Sequence, residues 1–167
     1  LDVTLPTGRL VADIGGGTTE VAVISLGGIV VCKSIRIGGD EFDEAIIHHC
    51  RINYNLLIGD RMAERVKIEI GSARPFEEEK NMVVKGRDLV SGLPKTFTIS
   101  SFEIRDALAE PISAIVSTIR STLEETPPEL SGDIIKDGIV MTGGGSLLYG
   151  ICERIHDETQ LKVKRSD

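Results

Sequence analysis

The 167-residue chain has the composition of a globular domain, or of one domain with an inserted subdomain, since 41% of its residues are hydrophobic and 27% are charged. Its formal net charge of −7 and the absence of a basic stripe argue against non-specific nucleic-acid binding, which relies on clustered Lys and Arg. No stretch of the sequence approaches the ~18 consecutive apolar residues that a membrane span requires.

The first 40 residues predict a three-stranded antiparallel meander. Runs rich in Val, Ile and Ala indicate strands at Arg9–Ile14, Glu20–Ser25 and Ile29–Ile37. Glycines fill both turns, three of them at Gly15–Gly17. The opening segment "LDVTLPTGRL" has neither an initiator Met nor a targeting signal, and we expect it to come from the interior of a longer chain.

Residues 41–100 predict a smaller inserted unit. Apolar residues at three- and four-residue spacings indicate a helix from Glu41, and a second helix is predicted at Asp60–Ile70. A charged, Pro-containing loop follows at Arg74–Lys80. Strands at Met82–Gly86 and Lys95–Ser100 then form a hairpin, because the segment between them is rich in turn-forming residues.

The remaining residues predict a return to the first unit. A capping box at Ser100–Glu103 opens a long amphipathic helix, which Pro111 should kink or split and which Pro127 and Pro128 should end. The elements predicted beyond it are a helix at Glu129–Lys136, a strand at Gly138–Thr142, a helix at Ser146–Glu158 and a strand at Leu161–Lys164. This order predicts an α/β fold that carries an inserted α+β subdomain.

The cysteines and histidines predict no redox or metal chemistry. Cys32, Cys50 and Cys152 are far apart and odd in number, which is typical of a reduced cytosolic protein with idle thiols. His48, His49 and Cys50 are metal-ligand types, but adjacent helix positions point in different directions and no second cluster completes a site.

Two triple-glycine turns carry the strongest functional signal. Gly15–Gly17 and Gly143–Gly145 each follow a hydrophobic strand, and glycine permits positive φ, so that several N–H groups can face one phosphate. Asp13 lies just before the first turn, where a carboxylate suits a hydrated Mg²⁺. Thr18 and Thr19 could add hydroxyl contacts to the phosphates or to an attacking water.

Simpler interpretations exist for each of these features. A single "GGG" turn is equally consistent with a loose hairpin, and neither a Walker A loop nor a Rossmann fingerprint is present. Glu64 and Lys67 share one helix face, and on their own they would form an exposed ion pair worth about 0.2–0.5 kcal/mol. Two glycine turns at strand ends favour a nucleotide site.

The motifs resemble those of the actin-like ATPase superfamily. The stretch "ADIGGGTTEVAVISLGGIVV" resembles its second phosphate loop, and "GIVMTGGGSLLYG" resembles its adenosine motif. The segment "GDRMAERVKIEIGSA" carries Glu64 and Lys67, a pair that grips the ribose hydroxyls in the superfamily. Three further stretches, "IRIGGDEFDEAI", "DLVSGLPKTFTIS" and "LEETPPEL", resemble the MreB family of bacterial actin-like proteins, which direct rod shape. This similarity runs from the first residue nearly to the last.

The resemblance implies an actin-like (ribonuclease H-like) fold. Members of the family are roughly twice this length, and this chain resembles their second half, with subdomain IIA at 1–40 and 101–167 and subdomain IIB at 41–100. It also implies a Mg-ATP site. The implied contacts are Asp13 to Mg²⁺ through water, Gly15, Gly16, Gly17 and Thr18 to the β- and γ-phosphates, Gly39, Glu64 and Lys67 to the ribose, and Gly143, Gly144 and Gly145 to the adenosine.

The same resemblance implies partners and a location. The whole protein would form head-to-tail filaments with itself, act with cell-shape machinery and stay cytoplasmic, with membrane contact through the other half only. The hairpin around Asp88–Thr96 is one candidate filament surface. The first phosphate loop and the segment with the catalytic Glu are absent here, so we expect no catalytic residue and no ATPase activity in this chain alone.

Two alternatives stay open at this point. One is another enzyme of the superfamily, such as a sugar or acetate kinase, although no catalytic Asp or sugar-binding insertion is evident. The other is a non-catalytic structural or filament-interaction fragment, an interpretation that the short length favours for the isolated chain.

Overall fold

The computed structural model describes residues 7–166, which form two β-sheets and five α-helices. The elements in chain order are β1 (Arg9–Ile14), β2 (Thr19–Ser25), β3 (Gly28–Ile35), α1 (Gly39–Tyr54), β4 (Leu56–Leu57), α2 (Asp60–Ile70), β5 (Asn81–Asp88), β6 (Pro94–Ser100), α3 (Ser101–Glu124), α4 (Pro128–Asp137), β7 (Ile139–Thr142), a 3₁₀ turn (Gly144–Leu147), α5 (Ile151–Thr159) and β8 (Val163–Arg165).

The larger sheet has the strand order β3-β2-β1-β7-β8. Its first three strands form the predicted antiparallel meander, while β7 runs parallel to both β1 and β8. The last register pair of β1 and β7 is Asp13 with Thr142. Because parallel strands end at the same edge of a sheet, the two glycine turns that follow β1 and β7 meet there.

The smaller sheet is antiparallel, has the order β4-β5-β6 and lies within residues 56–100. One cluster of buried apolar side chains joins both sheets to α1, α2 and α3. The boundaries predicted for the inserted unit, at residues 40 and 100, stay a prediction. Among residues 7–166, no helix is both long enough and apolar enough to cross a bilayer.

Several sequence predictions about helices and strands need correction, including the last strand, which spans Val163–Arg165 and not Leu161–Lys164. The helix α3 runs through Pro111 without a break, because buried residues on either side of it, such as Leu108 and Ile112, keep the helix packed on the core. The helix predicted from Ser146 begins only at Ile151, since a 3₁₀ turn occupies the residues before it. The third strand ends at Ile35, not at Ile37.

Candidate functional site

A cavity of about 500 Å³ lies where the two glycine turns approach α1 and α2. It lies within the size range of small-molecule sites, about 300–1,000 Å³. Many of the predicted site residues line it, namely Gly15, Gly16, Gly39, Glu64, Lys67, Gly144 and Gly145. The structure adds residues that sequence reasoning missed, namely Asp40, Phe42, Asp43, Ile68, Leu147, Leu148 and Tyr149.

The first glycine turn is closed against the start of α1. The Gly15 N–H donates to the Thr18 carbonyl at 2.9 Å, and the Gly15 and Gly16 carbonyls accept from the N–H groups of Gly39 and Asp40 at 2.9 and 2.8 Å. None of Gly15–Gly17 has a positive φ, so the predicted left-handed conformation is wrong for this turn. The Gly15 N–H is also used inside the turn and is not free to bind a phosphate.

In the second glycine turn, the first of the three glycines has the positive φ that was predicted for both turns. Gly143 has φ +85°, and a Cβ there would overlap the Asp13 carboxylate and the Ile14 carbonyl. A Cβ at Gly145 would overlap the Ile14 side chain. The Ser146 hydroxyl donates to the Gly143 carbonyl at 2.6 Å, which fixes the turn from inside. Glycine is therefore required here by backbone conformation and by close approach to β1.

Several predicted residues lie outside the cavity lining. Asp13 is exposed and lies beside Gly143, while Gly17 and Thr18 are exposed on the first turn. Thr19 is fully buried, and its hydroxyl donates to the Ile37 carbonyl at 2.6 Å. The expected contact of Thr19 with phosphate or water is therefore wrong in this structure, because its alternating position on β2 points the side chain into the core.

The pairing of Lys67 also differs from the sequence interpretation. Its Nζ lies 2.9 Å from Asp43 Oδ1 and donates to the Gly39 carbonyl at 3.3 Å, while Glu64 remains exposed. The Asp43 contact is close enough for an ion pair but lacks hydrogen-bond geometry. Burial raises the pKa of Asp43, and the nearby carboxylates Glu64 and Asp40 raise it further, against the opposing effect of Lys67.

The far side of the cavity is apolar. Ile68 and Leu147 are 71% and 70% exposed, and Tyr149 is 48% exposed. A helical residue such as Ile68 between charged neighbours gave no sequence signal of a site, and Tyr149 stood in the adenosine motif without a predicted role. The cavity thus changes from backbone amides and carboxylates at one end to apolar side chains at the other.

Such a gradient suits a nucleotide. Exposed turn residues can present N–H groups to phosphates, and Glu64 and Lys67 can bond sugar hydroxyls. The apolar end can cover a flat base. Among residues 7–166 no group of three or more His, Cys, Asp or Glu side chains is arranged to hold a metal ion.

Structures of known proteins that share this fold define the chain as actin-like. The double-helical filament of MamK matches 95% of this chain and 49% of its own, with a TM-score of 0.77 at 20% identity, which establishes the fold alone. MreB5 of Spiroplasma citri, solved with AMPPNP bound, matches 99% of this chain and 50% of its own, with a TM-score of 0.94 at 47% identity. The ADP-bound structure of MreB5 gives a TM-score of 0.96 at 46% identity over 100% of this chain and 51% of its own.

Sequence comparison narrows the class to one family. The family model described as MreB/Mbl protein matches residues 1–167, and the chain belongs to this family. The cell shape-determining protein MreB of Escherichia coli K12 is 53% identical over 98% of this chain and 47% of its own length. The cell shape-determining protein Mbl of Bacillus subtilis 168 is 45% identical over 98% of this chain and 49% of its own. The chain thus spans about half the length of the curated relatives it matches.

Proposed function

We propose that this chain supplies one wall of an ATP-binding cleft in an actin-like cytoskeletal protein that forms filaments and directs cell shape. The observation that carries the proposal is the meeting of two glycine turns with Glu64 and Lys67 around one cavity. Similarity to MreB5, solved with AMPPNP and with ADP, supports the choice of nucleotide.

Each part of the cavity has a task in this proposal. The exposed turn at Gly16–Thr18 faces the phosphates, and the carboxylate of Glu64 accepts hydrogen bonds from ribose hydroxyls. Lys67 is held by Asp43 and Gly39, so that its position is fixed before a ligand arrives. Gly144 and Gly145 give the sugar and base close access to the backbone.

The residues present also fit a magnesium ion. Asp13 is an exposed carboxylate at the end of β1, next to the second glycine turn. A bound magnesium ion supplies positive charge that offsets the charge of the phosphate oxygens. Asp13 would hold that ion through water.

The isolated chain binds but does not hydrolyse ATP in this proposal. Phosphoryl transfer requires positioning and charge stabilisation around the whole γ-phosphate. In this proposal the residues of the cavity contact the nucleotide from one side only. Turnover by the purified chain would contradict this part. Recovery of turnover on mixing with a separately produced first half would support it.

Calorimetric titration with Mg-ATP tests the site. We expect saturable binding that Glu64→Gln weakens, because a neutral amide is a poorer acceptor for ribose hydroxyls. The matched control is Glu69→Gln, an exposed acid on the same helix that does not line the cavity. Gly16→Val, which puts bulk at the cavity edge beside Asp40, should abolish binding. Absence of binding, or equal losses in both glutamate variants, would contradict the site.

Filament formation is a separate element of the proposal. We propose head-to-tail self-association of the whole protein, since a contact between two unlike surfaces that does not close into a ring generates a filament. Sedimentation of the whole protein with and without ATP tests this element. A protein that stays monomeric under both conditions would contradict it. We also propose that the whole protein acts with the cell-shape machinery, and that it is cytoplasmic with its filament on the membrane. Microscopy of a fluorescent fusion can check both points.

A further inference from the structure

A second groove, separate from the cavity beside the glycine turns, lies between α1 and α3. Its volume is about 600 Å³, and it is lined in part by small apolar side chains, Ala45 from α1 and Ala107 and Ala114 from α3. Ile52, which also lines it, is a large apolar residue left 64% exposed. Because alanine side chains are short, there is room between the two helices for larger apolar side chains of a partner.

One end of this groove is held by hydrogen bonds between the two helices. His49 Nε2 lies 2.8 Å from Glu103 Oε1, and the Tyr54 hydroxyl donates to the same oxygen at 2.6 Å. The Asn53 amide donates to the His49 carbonyl at 3.0 Å. The spacing of α1 and α3 is therefore fixed in the free chain, so that a partner binds a groove that is already formed.

The charges that line the groove have one sign. Glu44 on α1 and Glu110 on α3 are both exposed, and neither has an ion-pair partner within residues 7–166. Glu41 also lines the groove, but its carboxylate accepts from the Gly38 N–H at 2.7 Å and caps α1. In the described part of the chain, no Lys or Arg lines the groove, so its electrostatic complement is a cationic surface.

Pro111 adds a backbone acceptor to the same groove. It lies inside α3 and has no N–H, so the carbonyl of Ala107, four residues earlier, lacks its usual helical donor. Both residues line the groove. A carbonyl in this position is best satisfied by an N–H donor from a partner, and Lys and Arg side chains carry such donors.

We propose that the groove between α1 and α3 is a docking site for a basic amphipathic helix of a partner protein. Its apolar side chains would enter between the alanines, and its Lys or Arg side chains would pair with Glu44 and Glu110. A second copy of this chain fits less well, because its formal net charge of −7 would oppose the acidic groove. The proposal concerns a different surface from the nucleotide cavity and does not depend on ATP binding.

Two designed peptides of identical composition test the site. One is a helical peptide with Leu along one face and Lys on its flanks, and the other is a scrambled peptide without an apolar face. We expect the first to bind the chain saturably in calorimetry and to shift the amide NMR signals of Ala45, His48 and Ala107. The scrambled peptide has the same charge and should bind at least about tenfold more weakly, since it cannot place its apolar side chains in the groove.

Two pairs of variants locate the binding. Glu110→Lys should weaken the amphipathic peptide by about tenfold or more, because it replaces an attraction by a repulsion. Glu124→Lys, at an exposed acid of the same helix outside the groove, is its control and should stay within about twofold. Ala107→Leu fills the groove and should also weaken binding, whereas Ala109→Leu, at an exposed position outside it, should not.

The possible results support the groove or overturn it. Equal binding of the two peptides, or equal losses in Glu110→Lys and Glu124→Lys, would show general attraction to an acidic protein and overturn the proposal. No binding of the amphipathic peptide would overturn it as well. Self-association of the chain that Glu110→Lys abolishes, measured by sedimentation, would assign the groove to a second copy instead.

Discussion

The two glycine turns look alike in sequence but use glycine for different reasons. Both follow a strand of the larger sheet, and each has a hydroxyl residue directly after its three glycines. At Gly143–Gly145 the fold itself excludes a side chain, through a positive φ at the first glycine and overlap with β1 at the first and third. At Gly15–Gly17 there is space for a Cβ, and none of the three φ angles is positive.

The difference separates a structural requirement from a functional one. The second turn passes so close to β1 that glycine is needed for folding, whether or not a ligand binds. The first turn is exposed and needs glycine only if something approaches its backbone closely. The residue that must be glycine for this turn to pack is instead Gly38, because a Cβ there would overlap the Gly15 and Gly16 carbonyls.

The largest expected effect is from Gly143→Ala. It combines a disfavoured positive φ with overlap against Asp13 and Ile14, and should lower the free energy of unfolding by about 3 kcal/mol. Urea denaturation measures this, with Gly144→Ala as the matched control, because that neighbouring position has open space and no positive φ. Equal free energies of unfolding for Gly143→Ala and Gly144→Ala would show that the fold does not require glycine at position 143, and the second turn would then resemble the first.

Gly38→Ala should have the next largest effect. The added methyl would push α1 away from the first turn and weaken the hydrogen bonds from Gly39 and Asp40, at a cost of about 2 kcal/mol in unfolding free energy. The matched control is Gly59→Ala, which precedes α2 in extended backbone with open space around it. A Gly38→Ala chain as stable as Gly59→Ala would show that the first turn is not sealed by α1.

A smaller, pH-dependent effect is expected at the other end of α1. The Tyr54 hydroxyl donates to Glu103 Oε1 at 2.6 Å, joining α1 to the start of α3. Burial raises the pKa of Glu103, but hydrogen bonds with His49, Tyr54 and Ser100 outweigh it, so that the pKa lies below its usual value. The stability this carboxylate contributes is therefore present at neutral pH and is lost as the pH falls through its lowered pKa.

Tyr54→Phe should accordingly cost about 1 kcal/mol at neutral pH. The deficit should shrink as the pH falls through the lowered pKa of Glu103, because protonation of this carboxylate weakens the same interaction in the parent chain. Urea denaturation at several pH values measures both quantities. The control is Tyr149→Phe, at the chain's other tyrosine, and a deficit in Tyr54→Phe that stays constant with pH would argue against the Glu103 contact.

The smallest expected effect on stability is from Gly17→Ala. No atom lies within 4 Å of the Cβ position, and the backbone is not left-handed, so the change should stay within about 0.5 kcal/mol. Mg-ATP affinity should nevertheless fall, since the methyl narrows the approach of phosphate to the turn. Destabilisation equal to that of Gly143→Ala would show that both turns are structural.

Local sequence patterns predicted much of the fold. The bounds of β1 and α2 agree with the prediction, because β-branched runs and a glycine before the first helical residue are local signals. The strand β4 has only two residues and exists through its pairing with β5, which no local pattern indicates. Of the kink or split predicted at Pro111, the split does not occur, because tertiary packing of a long buried helix face keeps α3 continuous.

The candidate site was predicted in part for the same reason. Motif spacing identified both glycine turns and placed Glu64 and Lys67 on one helix face. It could not identify Asp43 as the ion partner of Lys67, because that contact joins two helices that meet only in the folded chain. Nor could it show that the ring of Phe76 stacks on that of Tyr149, since these residues are brought together by a bridge between distant segments.

Amide-resolved NMR during titration with Mg-AMPPNP tests the central claim most directly, because it reports binding residue by residue. We expect saturable shifts at Gly16–Thr18, at Gly144 and Gly145, and around Lys67. We expect no shifts in the separate groove between α1 and α3, which is lined by Glu44, His48 and Glu110 among others. Shifts confined to that groove, or none at saturating nucleotide, would contradict the assignment of this cavity as the ATP-binding wall.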